Sequence, residues 1–528
     1  VDGGVALKRW WKRTLIGAGI VLIPIAVLIG VFVLRFIPFP PEADYPPPVD
    51  RIEAFRQDLD FLRRYPDYDW TFTDSEESAF RAAIDELESR LDALTPAQFE
   101  LGVARAVALA NNAHTNISPI SRRARVDALP LRLAWFADGL YVVMADEPHT
   151  ELLGARVVRI EQLTPDELVD VFRPYFGGYP GRARWISTLN MESPELLHAA
   201  GITPQPKQVD ITFALESGAE VVRTIAAIEP FTDRAMRRYG GGLLQYVVPA
   251  PAEATWRHVM QGATPPTYLS RPDDPFFAEW IETSAGPGLY MSLAMTMDVG
   301  EHSLSDFHAR VLADLDKRHA QFVVVDLRHN GGGTVDPDFS KGVVSRLASD
   351  GHVFILTSPE TFSGGITEAA YLKHFGGDRA LVIGEPVGDH LVFWANGGTP
   401  MVLPNSRISV YVWVSKEDWE KGCDDWWECF WPTMLTDVGV GTLEPDVPVS
   451  LSFADYRAGR DPAMDNVIAI VEARHFPLGL SAPAIAEPSL RPSQQAFLAD
   501  SQPPEPLAPL APLAATRCRS QAATLHCP

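Results

Sequence analysis

The sequence predicts an α/β protein: a layer of buried strands covered by helices, preceded by a helical domain, a small β-rich segment and one long apolar helix. Three observations predict it. Runs such as FVVVDL, VFILTS and ALVIGE alternate with helical stretches after Gly288, which is how strands covered on both faces read. Between 51 and 112 the apolar residues instead recur every three or four positions, the period of a helix. Finally, 14–34 holds no charge. At 528 residues the chain is long enough for about three folded units. Its formal net charge of −23 is opposite in sign to what phosphate neutralisation needs, so no nucleic-acid partner is expected.

From the N-terminus, 1–13 is a basic segment with Lys8, Arg9, Lys12 and Arg13, and 14–37 reads as a transmembrane anchor. A helix over 14–34 covers about 30 Å. The flanking cations predict a single pass, with the N-terminus cytoplasmic and the body periplasmic or extracellular. The Pro-rich 38–50 is a stiff spacer. The helical domain, 51–120, carries the stripe Phe80, Ile84, Leu87, Leu91, Leu94 and two capping boxes, Thr73 to Glu76 and Thr95 to Gln98, the second with Pro96 at the first helical position.

In 121–230 short strands, LRLAWF, GLYVVMA, ARVVRI and VDITFAL, surround one helix-like stretch after Thr164, and GARVVRIEQLTPDELV resembles the strand, turn and helix of a PDZ-like module. Segment 231–287 reads as a connection, 288–482 as the α/β core, and 483–528, rich in Pro and Ala, as a disordered tail. The four cysteines are Cys423, Cys429, Cys518 and Cys527. They are too few for a disulfide scaffold or a spaced zinc site. In an extracytoplasmic body each neighbouring pair closes a small loop, with the pairing left open.

Chemistry concentrates in the core. Strand FVVVDL runs into Arg328-His-Asn-Gly-Gly-Gly333, and glycines there permit positive φ and bare backbone N–H groups. Strand VFILTS ends just before Ser363-Gly-Gly. A serine at a strand-to-helix junction exposes its Oγ, and the Gly364 N–H lies at the positive helix end. A hydroxyl needs a base to become a nucleophile. His114, where the helical domain ends, and His390, 27 residues after Ser363, are the candidates.

In combination these residues resemble the C-terminal processing peptidases, the serine peptidase family of the tail-specific proteases and the tricorn core. Ala113-His-Thr115, the GARVVRI segment, Asp326-Leu-Arg-His-Asn-Gly-Gly-Gly333, Thr361-Phe-Ser363, Ile383-Gly-Glu385 and Leu443-Glu-Pro-Asp-Val447 carry the likeness. The resemblance implies a ClpP/crotonase-like core, Ser363 as nucleophile, and an oxyanion hole from the Gly364 N–H with Gly331 or Gly332. The lysine of the tail-specific branch is missing from Gly384 to His390. The tricorn-like arrangement therefore implies His114 as base, with His390 at the lost lysine's position as fallback. The orienting acid falls among Glu417, Glu420, Glu428 and Asp437, with Glu420 and Glu428 favoured. The expected activity is acyl-enzyme hydrolysis of polypeptides without a cofactor. Two alternatives stay open: an inactive peptide-binding scaffold of the same fold, and a crotonase-like acyl-CoA enzyme. Oligomeric state is open.

Overall fold

Separate apolar cores organise residues 22–117, 119–232, 237, 241–246 and 255–475, which the computed structural model describes. Helices Arg51–Leu62, Asp74–Glu88 and Pro96–Ala108 pack through Phe55, Leu59, Phe80, Ile84 and Phe99. Both threonine capping boxes are formed, satisfying first-turn N–H groups that would otherwise be orphaned.

An antiparallel sheet follows, ordered β1 (Leu131–Phe136), β2 (Gly139–Asp146), β3 (Arg156–Ile160), β4 (Gln208–Ala214), β5 (Glu220–Ala226), with β6 (Trp256–His258) also on β2. Helix Pro165–Phe172 buries Leu168 and Phe172 in that sheet's core. A short helix, Pro180–Ile186, comes next in the chain.

The second sheet contains β7 (Phe276–Thr283), β8 (Gly286–Leu293), β9 (Phe322–Asp326), β10 (His352–Thr357) and β11 (Ala380–Gly384). A long hairpin, β12 (Val392–Val402) and β13 (Ser409–Asp418), interrupts it before β14 (Val447–Pro448) completes it. Its order is β14-β11-β10-β9-β8-β7, parallel except for the β7–β8 hairpin. Strands β9 and β10 are buried nearly throughout. Edge strand β7 lies inside the segment expected as a connection; its FFAEWIET mixes charges with aromatics because only one side is paired. The β12–β13 ribbon joins the units: Val410, Val412 and Val414 belong to the helical domain's core, while Phe393, Ala395 and Trp419 belong to the α/β core.

The expected transmembrane anchor over 14–37 is corrected. Among the described residues no helix is long and apolar enough to cross a membrane, which also removes the basis for a cytoplasmic N-terminus with the body periplasmic or extracellular. Of that segment the structure describes a helix over 22–36; 1–21 lie outside the described residues. Its end is occupied by protein. Arg35 is buried, donating Nε to the Trp427 carbonyl at 2.7 Å and Nη1 to that of Val414, with its guanidinium 3.7 Å from the Trp70 ring. Phe32 and Phe36 pack on Phe430 and Trp431. Earlier in the helix Leu22, Ile23, Val27 and Leu28 are exposed. Cys423 and Cys429 form a disulfide whose loop carries Trp427; Cys518, Cys527 and the 483–528 tail lie outside the described residues.

Candidate active site

Ser363 stands between β10 and helix Gly364–Gly376 with φ +54° and ψ −122°, a conformation costly for any residue with a Cβ. The surroundings impose it. Thr361 Oγ1 donates to Leu327 O at 2.7 Å, Phe362 N donates to Asn330 O at 2.9 Å, and Gly388 N donates to Thr361 O at 2.8 Å. On the other side is the glycine turn. Gly332 has φ +112°, and a Cβ there would lie 2.6 Å from Ser363 Cβ; one on Gly364 would lie 2.7 Å from Gly333 O. Gly332→Ala is therefore expected to displace the serine and to destabilise the protein by about 1–3 kcal/mol, as chemical denaturation will show.

The three candidate oxyanion donors are not equivalent. Gly332 N–H already donates to Asn330 Oδ1 at 2.8 Å. Gly331 is the exposed position before it, with only Met295 Sδ, at 3.9 Å, near the place of a Cβ. Gly364 N–H opens a helix of 13 residues, where first-turn donors lack an intrahelical acceptor and the dipole favours negative charge.

His114 comes from the other core, in the loop after helix Pro96–Ala108, and is buried. Its ring stacks on Phe362, the residue before Ser363, at 4.2 Å between centroids, and on Phe393 at 5.0 Å. Nδ1 lies 3.5 Å from Asp389 Oδ2, longer than a well-made charge-assisted hydrogen bond. Neither ring nitrogen has a hydrogen-bond partner among the described residues, so Nε2 and Ser363 Oγ are not bonded to each other. Burial lowers the imidazole pKa, Asp389 partly restores it, and the Arg182 charge lowers it further. The ring is thus neutral near pH 7 and able to accept a proton. Arg182, on the Pro180–Ile186 helix, lies 3.6 Å over the Phe362 ring.

The structure brings Ser363, Gly331, Gly332, Gly364 and His114 into one region and adds Asp389, which the sequence reading missed. Asp389 stood in the quoted Gly384–His390 stretch, directly before His390, and adjacency to the lost lysine's position was the available signal. His390 is exposed, edge-on to Tyr179 at 5.6 Å, and its backbone N–H donates to Asp389 Oδ1 at 2.9 Å. Glu420 is also exposed and, with Asp389, His390, Tyr179 and Glu444, lines a neighbouring cavity of about 410 Å³. Glu428 pairs with Lys416 at 3.4 Å. Neither favoured glutamate is among the groups that act on His114, whose carboxylate neighbour among the described residues is Asp389. Glu417 is buried, accepts from Asn396 Nδ2 at 2.8 Å, and is pushed up to about 7 by burial.

Part of the recognised motif is scaffold. Arg328 holds Asp326 at 3.0 Å through Nε and Asp461 at 2.7–2.8 Å through both terminal nitrogens, tying the end of β9 to the start of helix Pro462–His475. Tyr290 donates to Asp326 at 2.7 Å. Asp446 of the Leu443–Val447 stretch accepts from Val382 N on β11 at 2.8 Å. Among the described residues, no three His, Cys, Asp or Glu side chains gather as a metal-binding group.

No family model and no curated protein matches the sequence. Solved structures do. Mature CPAF complexed with lactacystin aligns with 80% of this chain and 99% of its own at 12% identity and a TM-score of 0.50. The photosystem II D1 C-terminal processing protease aligns with 79% of this chain and 98% of its own at 13% identity and a TM-score of 0.31. The tricorn protease aligns with 80% of this chain and 37% of its own at 15% identity and a TM-score of 0.31. At these identities the likeness is one of fold, and it rests on CPAF. The chain has a mixed α/β fold similar to that of CPAF, and its structural neighbours include these three serine peptidases of the C-terminal processing protease type.

Proposed function

We propose that this protein is a serine endopeptidase in which Ser363 is the nucleophile, His114 the general base and Asp389 the acid that orients it. The observation that carries the reading is the buried, neutral imidazole of His114 stacked on Phe362, one residue from a serine held in a strained turn. His114 Nε2 takes the Ser363 proton as Oγ attacks a peptide carbonyl. The Gly364 and Gly331 N–H groups receive the developing oxyanion, since the Gly332 donor is engaged by Asn330. His114 then protonates the leaving amine, and water releases the acyl group by the reverse sequence. Catalytic hydrogen bonds that are long in a substrate-free enzyme tighten in the Michaelis complex.

Hydrolysis of an unfolded polypeptide across pH tests this. The base must be neutral to act, so kcat/KM falls as pH drops through the His114 pKa. Burial puts that pKa below the ordinary 6.5, and the midpoint of the acid limb is expected below 6.5. A limb centred above 6.5 would contradict His114 as the base. The unbonded Ser363–His114 pair favours one second reading, a non-catalytic peptide-binding scaffold, which predicts no hydrolysis at any pH.

A further inference from the structure

The histidine loop, 111–116, and Ser363 belong to different cores, so something must hold the imidazole against the α/β unit. We infer that Trp413, itself fixed by the buried carboxylate of Asp69, is a positioning residue for His114; this rests on His114 being the base.

Strand β13 turns alternate side chains to opposite faces. Val410, Val412 and Val414 enter the helical core, and Trp413, between them, reaches the site. Its indole Nε1–H donates to the His114 carbonyl at 2.7 Å, and its ring meets the imidazole edge-on at 5.1 Å. With Phe362 and Phe393 stacked against it, the imidazole is confined by three aromatic rings. That carbonyl's other bond is local, from Asn116 N at 3.2 Å, so Trp413 ties it to the ribbon.

Trp413 is held in turn. Its backbone N–H donates to Asp69 Oδ2 at 2.9 Å, and its carbonyl accepts from Trp70 N at 2.9 Å. Asp69 is buried at 2% exposure and also accepts from Thr71 N at 3.1 Å and from Thr71 Oγ1. Burial pushes its carboxyl up to about 6 against the pull of these donors, so it is an anionic acceptor at neutral pH. The network returns to the histidine loop: Thr115 Oγ1 donates to Thr71 Oγ1 at 3.3 Å, and Asn112 Nδ2 donates to Thr115 Oγ1 at 3.0 Å. Asn112 also exchanges bonds with both backbone groups of Trp394 on β12, at 3.0 and 3.1 Å. Both strands of the ribbon thus grip the loop that carries His114.

The test is kcat per active site in Trp413→Phe, which keeps a ring and loses the donor, and in Asp69→Asn. Sites are counted by stoichiometric fluorophosphonate labelling of Ser363 in the full chain, so unfolded molecules drop out. In Trp413→Phe, kcat per labelled site is expected to fall about 10- to 100-fold, the effect of misplacing a catalytic group by about an ångström, with KM held within about twofold. Asp69→Asn is expected to show a smaller fall of the same kind. A merely structural role would lower the labelled fraction and the melting midpoint and leave kcat per site unchanged, and that result in both variants overturns the inference. A His114→Ala enzyme that keeps wild-type kcat per site would instead overturn the base assignment.

Discussion

Ser363→Ala is expected to lower kcat for peptide hydrolysis by about 10⁴–10⁶, leaving the residual turnover that oxyanion stabilisation and substrate binding supply alone. The fold should survive, because alanine keeps the Cβ that the glycine turn accommodates and removes only an Oγ for which no partner is needed by the scaffold. Ser363→Gly gives a second, opposite readout. The strained φ of +54° is free to glycine, so this variant should be as inactive as the alanine one yet more stable than it, by about 1–3 kcal/mol. Chemical denaturation of the three proteins measures this. An inactive variant that is stabilised rather than destabilised indicates strain held for function, whereas a glycine variant less stable than the alanine one contradicts it.

The second large effect is expected at Asp389. Its side chain is 1% exposed and its Oδ2 faces His114 Nδ1 at 3.5 Å. A carboxylate there favours the tautomer with the proton on Nδ1, leaving the Nε2 lone pair for the serine, and stabilises the imidazolium formed in the transition state. Asp389→Asn keeps the shape and removes that preference, so kcat should fall by about 10²–10⁴ while KM stays close to that of the parent. Glu420→Gln and Glu428→Gln are the controls. Glu420 is exposed and Glu428 is engaged by Lys416, so each should retain kcat within about twofold. A larger loss in either glutamine variant than in Asp389→Asn, measured on the same peptide, would reassign the acid.

The strained turn at Ser363 and its glycines was legible in the sequence, and the placement of Asp389 beside His114 was not, for a physical reason. A serine at a strand-to-helix junction and glycines at a strand end are local demands: the turn needs positive φ at Gly332 and no Cβ within 2.6 Å of Ser363. Asp389 acquires its place only because the loop after β11 meets a histidine loop carried by another core, and no spacing encodes that meeting. Arg182 and Trp413 were invisible for the same reason. The Asp326-Leu-Arg328 half of the motif was conspicuous, yet its side chains fasten the C-terminal helix rather than the site. Of the apolar run at 14–34 only the end is packed: Phe32, with Arg35 and Phe36 just beyond the run, lies on the chain's own aromatic loop, while Leu22, Ile23, Leu28 and Leu34 are exposed. Strand β7 escaped notice because its FFAEWIET neither runs apolar nor alternates.

The most direct measurement is the rate and site of covalent capture by a fluorophosphonate, read by peptide mass spectrometry on the wild type and His114→Ala. The account predicts one adduct, on Ser363, formed at least about 10³-fold more slowly once the imidazole is gone. An adduct on a different residue, or capture at Ser363 at an unchanged rate without His114, would contradict it.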